Sequence, residues 1–261
     1  MKLRLTAVPA LALLVSAPAP AQDNHALFFD GADDYVVTGE SLDLGGTYTL
    51  EAWVNLASIV SAGRVLSTRN GANGYEMDIV DDGASGYELR VAHNGGLRGN
   101  GPFAPGLNTW AHVAAAFDGA TLDLVLYVNG EVVDSQEDGE AYVPSGSPLH
   151  VGSMGTTFFN FHGAIDEVRV WSTVLDQGTL QEWMGRTVTP DHPSYGSLEG
   201  YWTFDEGAGQ TAASEVESPA RDGQLGATAG ADATDPVWEA GGAPVPVART
   251  TFGRIKARRE P

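Results

Sequence analysis

The chain has 261 residues, 34 acidic and 14 basic, for a formal charge of −20. A surface of that sign repels phosphate backbones, which excludes nucleic acid as a partner. No cysteine occurs, so disulfides and thiol chemistry are excluded, while a hydrophobic content of 43% supplies a sizeable core.

Lys2 and Arg4 precede the apolar run LTAVPALALLV, and Ala19-Pro20-Ala21 has the small-x-small form of a signal-peptidase site. Residues 1–21 are therefore expected to be a signal peptide, making the mature protein secreted, extracellular or cell-surface. No later stretch approaches the roughly 20 apolar residues of a transmembrane segment. Between Gln22 and Val247 the imbalance sharpens to 7 basic against 33 acidic residues. Divalent cations and neutral ligands suit such a surface.

Taken in order, Ala26–Asp30 and Tyr35–Thr38 read as strands joined by the turn GADD, a hairpin with Asp30, Asp33 and Asp34 at its tip. Tyr48–Asn55 alternates Leu50, Ala52 and Val54 against Glu51 and Trp53. Arg64–Thr68 is a further strand, and Tyr75–Val80 and Tyr87–Ala92 flank the hairpin signature DDGASG. Trp110–Phe117 and Thr121–Val128 follow, and the turn Asn129-Gly130 leads into EVVDSQ. Leu149–Ser153 and Ala164–Trp171 lie either side of the aromatic loop TTFFNFHG. Thr179 to Glu182 has the form of a capping box and predicts one short helix, stopped near Gly185. Leu198–Phe204 is the last clear strand; beyond Asp205 the composition predicts loops with one more strand at most. Turn spacings of about 8 to 12 residues predict an all-β fold, a two-sheet antiparallel jelly-roll sandwich with one short helix. Residues 22–245 are expected to form that domain, and 246–261 a basic disordered tail carrying Arg249, Arg254, Lys256, Arg258 and Arg259.

In GAIDEVRVW, residues 163–171, strict alternation puts Ala164, Asp166, Val168 and Val170 on one face and Ile165, Glu167, Arg169 and Trp171 on the other. Glu167 then has Arg169 beside it, whereas Asp166 lies among valines, where a carboxylate needs a metal ion or donors.

In order along the chain, ALFFDGADDYV, YTLEAWV, WAHVAAAFDG, LYVNGEVV, HGAIDEVRVWSTVL and LEGYWTFDEGAG resemble the laminin-G-like, concanavalin-A-like jelly roll of exported bacterial proteins. The resemblance covers about residues 26–209. It implies the sandwich and, with less specificity, a function, because this fold carries lectins, adhesion modules, enzyme appendages and hydrolases.

Three constellations are candidates for chemistry. Glu76-Met77-Asp78-Ile79-Val80-Asp81 resembles the E-x-D-x-x-E signature of family-sixteen glycoside hydrolases, with Glu76 as nucleophile, Asp78 in support and Asp81 as acid. Asp81 is one methylene short of the family's glutamate and belongs to a turn. Asp30, Asp33, Asp34 and Asp166 offer the hard oxygen ligands Ca²⁺ prefers, and the resemblance implies a structural Ca²⁺ between first and last strands; Asp30, Asp34 and Asp166 are the expected ligands. Phe158, Phe159 and Phe161 form a loop run without strand alternation and are expected to stack on a sugar face or a partner surface. The reading that follows is an exported, non-catalytic, calcium-assisted module that recognises carbohydrate or an extracellular protein. The alternatives are a β-glycan hydrolase using Glu76 and Asp81, and a structural cell-surface module without a dedicated ligand.

Overall fold

The computed structural model describes residues 24–42, 44–58, 62–84, 86–137, 139–154, 159–216 and 221–245. The expected signal peptide, the basic tail and Phe158 lie outside these residues. Within them the chain forms β1 (His25–Asp30), β2 (Val36–Ser41), β3 (Tyr48–Leu56), β4 (Ala62–Ser67), β5 (Tyr75–Asp81), β6 (Tyr87–His93), β7 (Gly96–Pro102) and β8 (Trp110–Asp118). These are followed by β9 (Asp123–Val128), β10 (Glu131–Glu137), β11 (Pro148–Val151), β12 (His162–Trp171), the helix α1 (Gln177–Trp183), β13 (Leu198–Trp202), β14 (Thr211–Ala212), β15 (Gly223–Leu225) and β16 (Val237–Ala240). No helix of the described residues is long and apolar enough to cross a membrane.

Two antiparallel sheets result. Sheet A runs β10-β9-β8-β3-β12-β1-β16, with β13 also paired to β12, and sheet B runs β14-β15-β2-β11-β4-β5-β6-β7. The period-2 patterning turns one face of each sheet inward: Leu50, Ala52, Val54 and Leu56 of β3 share a buried core with Met77 and Ile79 of β5 and Leu89 and Val91 of β6. Burying each large apolar side chain contributes about 1.5–3 kcal/mol. This is the jelly-roll sandwich that the sequence pattern predicts.

Three local expectations need correction, and one strand, β7, was not foreseen. β1 and β2 do not form a hairpin, because β1 belongs to sheet A and β2 to sheet B. Both strands face one core from opposite sides, so their alternation cannot tell a hairpin from a crossing between sheets. β7 carries no hydrophobic pattern, since its inward positions are glycines: a Cβ at Gly101 would stand 2.6 Å from the Val133 carbonyl oxygen. Beyond Asp205 there are three short strands, β14, β15 and β16. The N-cap of α1 is Asp176, whose side chain accepts the Thr179 N–H, so Thr179 is inside the helix.

The fifth difference positions the site. Asp166 pairs with Trp53 and Arg169 with Glu51, so three steps along β12 match two along β3, and Glu167 takes a left-handed φ of 51°. The bulge shifts the phase of alternation. Ile165 faces the core before it and Val168 and Val170 after it, while Arg169 and Trp171 face outward.

Candidate functional site

The outer face of sheet A is closed by a buried polar layer. Glu51 accepts from His112 Nε2 at 3.1 Å and from the Trp171 indole. Arg169 pairs with Glu167 at 2.6 Å and donates to the carbonyls of Trp183 and Arg186, and Tyr201 donates to Glu167 at 2.7 Å. Trp53 Nε1 reaches the Met184 carbonyl at 2.7 Å, which ties the chain just beyond α1 onto the sheet. Burial alone would raise the Glu51 carboxyl, but His112 and the Arg169 guanidinium hold it below the usual range. Glu167 of the GAIDEVRVW stretch is thus part of an internal scaffold.

Asp166 belongs to this layer and not to a group with Asp30 and Asp34. Ile165, the residue before it, pairs with Leu27, whereas Asp30 pairs with His162, so Asp166 and Asp30 stand at opposite ends of β1, about 13 Å apart along the strand. Its Oδ1 accepts the Glu167 N–H at 2.8 Å and its Oδ2 the Ala243 N–H at 2.7 Å. Of the two compensations the sequence left open, a metal ion or donors, backbone donors are the one found. Burial and the adjacent Glu167 charge push the Asp166 carboxyl well above its ordinary value.

Asp30, Asp33 and Asp34 do converge, each offering a carboxylate oxygen within 4.8 Å of the others. Asp34 is buried and accepts the Asp30 N–H at 2.7 Å, while Asp30 Oδ1 accepts from Ala32 at 2.7 Å. The 226–235 loop closes over them, since Tyr35 N–H donates to the Thr234 carbonyl. Burial and the charges of Asp30, Asp33 and Asp235 push Asp34 up to about 6. Asp235 Oδ1 is buried without a hydrogen-bond partner. The hard oxygens and mutual repulsion of Asp30, Asp33 and Asp34 form a donor set that fits a calcium ion, with the charge of Asp235 acting on Asp34 from the adjoining loop. Asp235 opens an Asp-Pro turn signal, but nothing in the sequence joins it to Asp30, Asp33 and Asp34, about 200 residues earlier.

The outer face of sheet B is built differently. Arg64 on β4 holds Asp78 at 2.6 Å and Glu76 at 2.7 Å, and Arg69 holds the other oxygen of Glu76 at 2.9 Å. Over this buried network lies Phe159, 46% exposed, with the Arg64 guanidinium 5.2 Å from its ring centroid. Tyr35 and His150, both half-buried, place their rings 6.1 Å apart on the same face. Phe161 is not exposed: it is fully buried, edge-on to Phe29 in the core, and Gly63 leaves room for it. The loop run thus splits between a core plug and a surface ring, which its composition does not resolve.

Glu76 and Asp81 cannot act as a pair across one bond. Five residues separate them on one strand, about 16 Å, and odd and even positions face opposite sides. Asp81 is exposed and accepts the Gly83 N–H at 2.6 Å. Retaining hydrolysis needs carboxyls about 5–5.5 Å apart.

The family described as the concanavalin A-like lectin/glucanases superfamily matches residues 30–181. The chain belongs to this superfamily. Solved structures superpose on it at low identity. A Bacteroides ovatus ATCC 8483 protein proposed to bind carbohydrate gives a TM-score of 0.66 at 22% identity, covering 87% of this chain and 62% of its own. The SAP-like pentraxin of Limulus polyphemus, a native heptamer, gives 0.53 at 14% identity, covering 62% and 82%. The CBM40 of the Ruminococcus gnavus IT-sialidase, with α2,3-sialyllactose bound, gives 0.50 at 16% identity, covering 60% and 94%. These likenesses show a shared fold, and the chain spans less than two thirds of the Bacteroides protein. No curated protein matches it in sequence.

Proposed function

We propose that the protein is an exported, non-catalytic carbohydrate-binding module that takes glycan on the outer face of sheet B, braced by calcium at the end of β1. The observation that carries this reading is the exposed Phe159 ring set over the buried Arg64–Glu76–Asp78 network. Sugar recognition needs an apolar platform for a pyranose face and polar groups fixed in direction. Phe159 supplies the first, and the half-buried Tyr35 and His150 supply rings with polar tips. The Bacteroides and Ruminococcus neighbours, one proposed to bind carbohydrate and one holding sialyllactose, support the reading.

Asp30, Asp33 and Asp34 would hold the ion, with Asp235 beside them. A bound Ca²⁺ supplies positive charge that turns the repulsion among these carboxylates into attraction. The chain's own residues fix the place where the 31–35 turn passes from sheet A to sheet B beside the 226–235 loop.

The test is a glycan array probed with the purified chain, with and without Ca²⁺, alongside an assay for released reducing ends. Glycan is retained, Phe159→Ala weakens retention about tenfold, as expected for one lost stacking contact, and no reducing ends appear. Retention of extracellular protein but no glycan would overturn the reading. So would hydrolysis that disappears in Glu76→Gln.

A further inference from the structure

Between residues 24 and 245 the chain has seven arginines and no lysine. Six of the seven hold a carboxylate. Arg64 takes Asp78 and Glu76, Arg69 takes Glu76, Arg98 takes Glu140, Arg169 takes Glu167, Arg186 takes Glu182 at 3.0 Å, and Arg221 lies 3.5 Å from Glu199. The side chain of Arg90, on β6, forms no ion pair or hydrogen bond among the described residues, and its Nε is buried without a partner. In a segment this rich in acids, one arginine without a carboxylate is the exception that calls for a cause.

Its surroundings explain why no internal acid answers it. Arg90 pairs in register with Asp78 on one side and Asn100 on the other, so the three side chains share the outer face of sheet B. Asp78 is the acid nearest in register, and both its oxygens are engaged by Arg64, at 2.6 and 3.3 Å. Beside Arg90 on the same face, the Ala92–Leu97 pair adds an apolar patch, with Leu97 51% exposed, and Asn100 is exposed. A solvated arginine would satisfy Nε with water. Here the stem is held in the sheet, with the terminal nitrogens left unpaired at its end.

We infer that Arg90 recognises the carboxylate of an acidic sugar residue, with Asn100 taking a neighbouring hydroxyl and Leu97 covering the ring. The inference rests on the carbohydrate-binding reading and specifies its ligand class: a glycan containing a uronic or sialic acid. The planar guanidinium matches a carboxylate through two parallel hydrogen bonds, which a neutral sugar cannot offer. On this face Arg64 and Arg69 balance Glu76 and Asp78, and Glu88, two residues before Arg90 on the same strand, forms no ion pair with it among the described residues, so the Arg90 guanidinium keeps its end free for an incoming anion.

The experiment is calorimetric titration of the full chain with trigalacturonic acid, its methyl ester, 3′-sialyllactose and lactose, with the glycan array as reference. One of the two acids binds about tenfold or more tightly than its neutral counterpart, as expected for a charge-assisted pair, and the preferred acid distinguishes uronic from sialic recognition. Arg90→Gln removes the preference, Arg90→Lys retains part of it, and Arg186→Gln, at an exposed cation paired with Glu182 beside α1, leaves it in place; thermal melts confirm that each variant folds. Equal binding of acid and neutral forms, or a preference that survives in Arg90→Gln, overturns the inference and leaves the carbohydrate-binding reading standing. Array binding confined to neutral glycans does the same. Failure to bind any glycan overturns both.

Discussion

The Ala243 N–H donates to Asp166 Oδ2 at 2.7 Å, joining residues 77 apart in sequence in a buried setting. With the Glu167 N–H on its other oxygen, Asp166 fixes both the bulge of β12 and the segment that follows β16. Asp166→Ala strands two buried donors and should destabilise the fold by about 2–5 kcal/mol. Asp166→Asn keeps an acceptor and discards a charge that burial disfavours, so its loss should be much smaller. Urea unfolding of the two variants checks the order. Because Asp166 stands away from Asp30 and Asp34, neither variant should alter any response to calcium.

Chelation should lower the melting temperature by several degrees, and Asp34→Asn should remove most of that response. Ligand binding to the folded state alone adds about 2.7 kcal/mol at a hundredfold excess over Kd. Scanning calorimetry with and without chelator measures it. A melting temperature indifferent to chelator, in protein shown to be free of metal, would leave Asp30, Asp33 and Asp34 as turn residues.

Without metal the same acid gives a pH signature. Asp34 is pushed up to about 6, above its unfolded value near 3.9, so the folded state binds the extra proton between those limits. Stability from this group is fully present below about pH 4 and is lost as pH rises through 6. Asp205, also raised to about 6, acts in the same direction, whereas the half-buried His150 and the buried His192, held below the usual imidazole range by burial, act oppositely. The informative quantity is therefore the difference between the parent and Asp34→Asn in chelator. The variant should be the more stable at pH 7, and its advantage should vanish by pH 4.

Arg169→Met should cost about 3–5 kcal/mol, because it leaves Glu167 buried without its cation. Adding Glu167→Gln should recover a good part of the loss, since the orphaned charge goes with it. Denaturant midpoints across this double-mutant cycle give the coupling between the two residues.

Phe159 and Phe161 should separate cleanly. Phe161→Ala opens a cavity beside Phe29 and should destabilise by about 3–5 kcal/mol. Phe159→Ala forfeits its cation–π contact with Arg64, under about 1 kcal/mol, and should act chiefly on glycan retention. Melts and array binding of the two variants provide the comparison.

The alternation of β3, β5, β6, β8 and β12 carries the sandwich openly, because core positions recur every second residue wherever both sheets face one interior. What alternation cannot carry is a change of phase. The left-handed backbone at Glu167 inverts which residues of β12 face inward, and only pairing with β3 reveals it. The acids at Asp30, Asp33 and Asp34 were legible as a group because they are neighbours in sequence. Asp235 and Arg90 were not: one lies in a glycine-rich loop, and the other matters for a carboxylate it lacks.

The antiparallel pairing of β1 with β16 sets His25 against Ala240, so both ends of the domain leave it at one corner, where Asn24 also donates to the carbonyls of Ala243 and Val245. Tension applied through the two termini would open this pair like a zipper, loading one rung at a time, whereas a lengthwise shear would load all rungs together. The Asn24 clasp and the Asp166–Ala243 bond are first in line. Held between two anchors, the module would shed β16 under modest force while the layers around β3 and β8 stayed shut, giving extra length before it gave way.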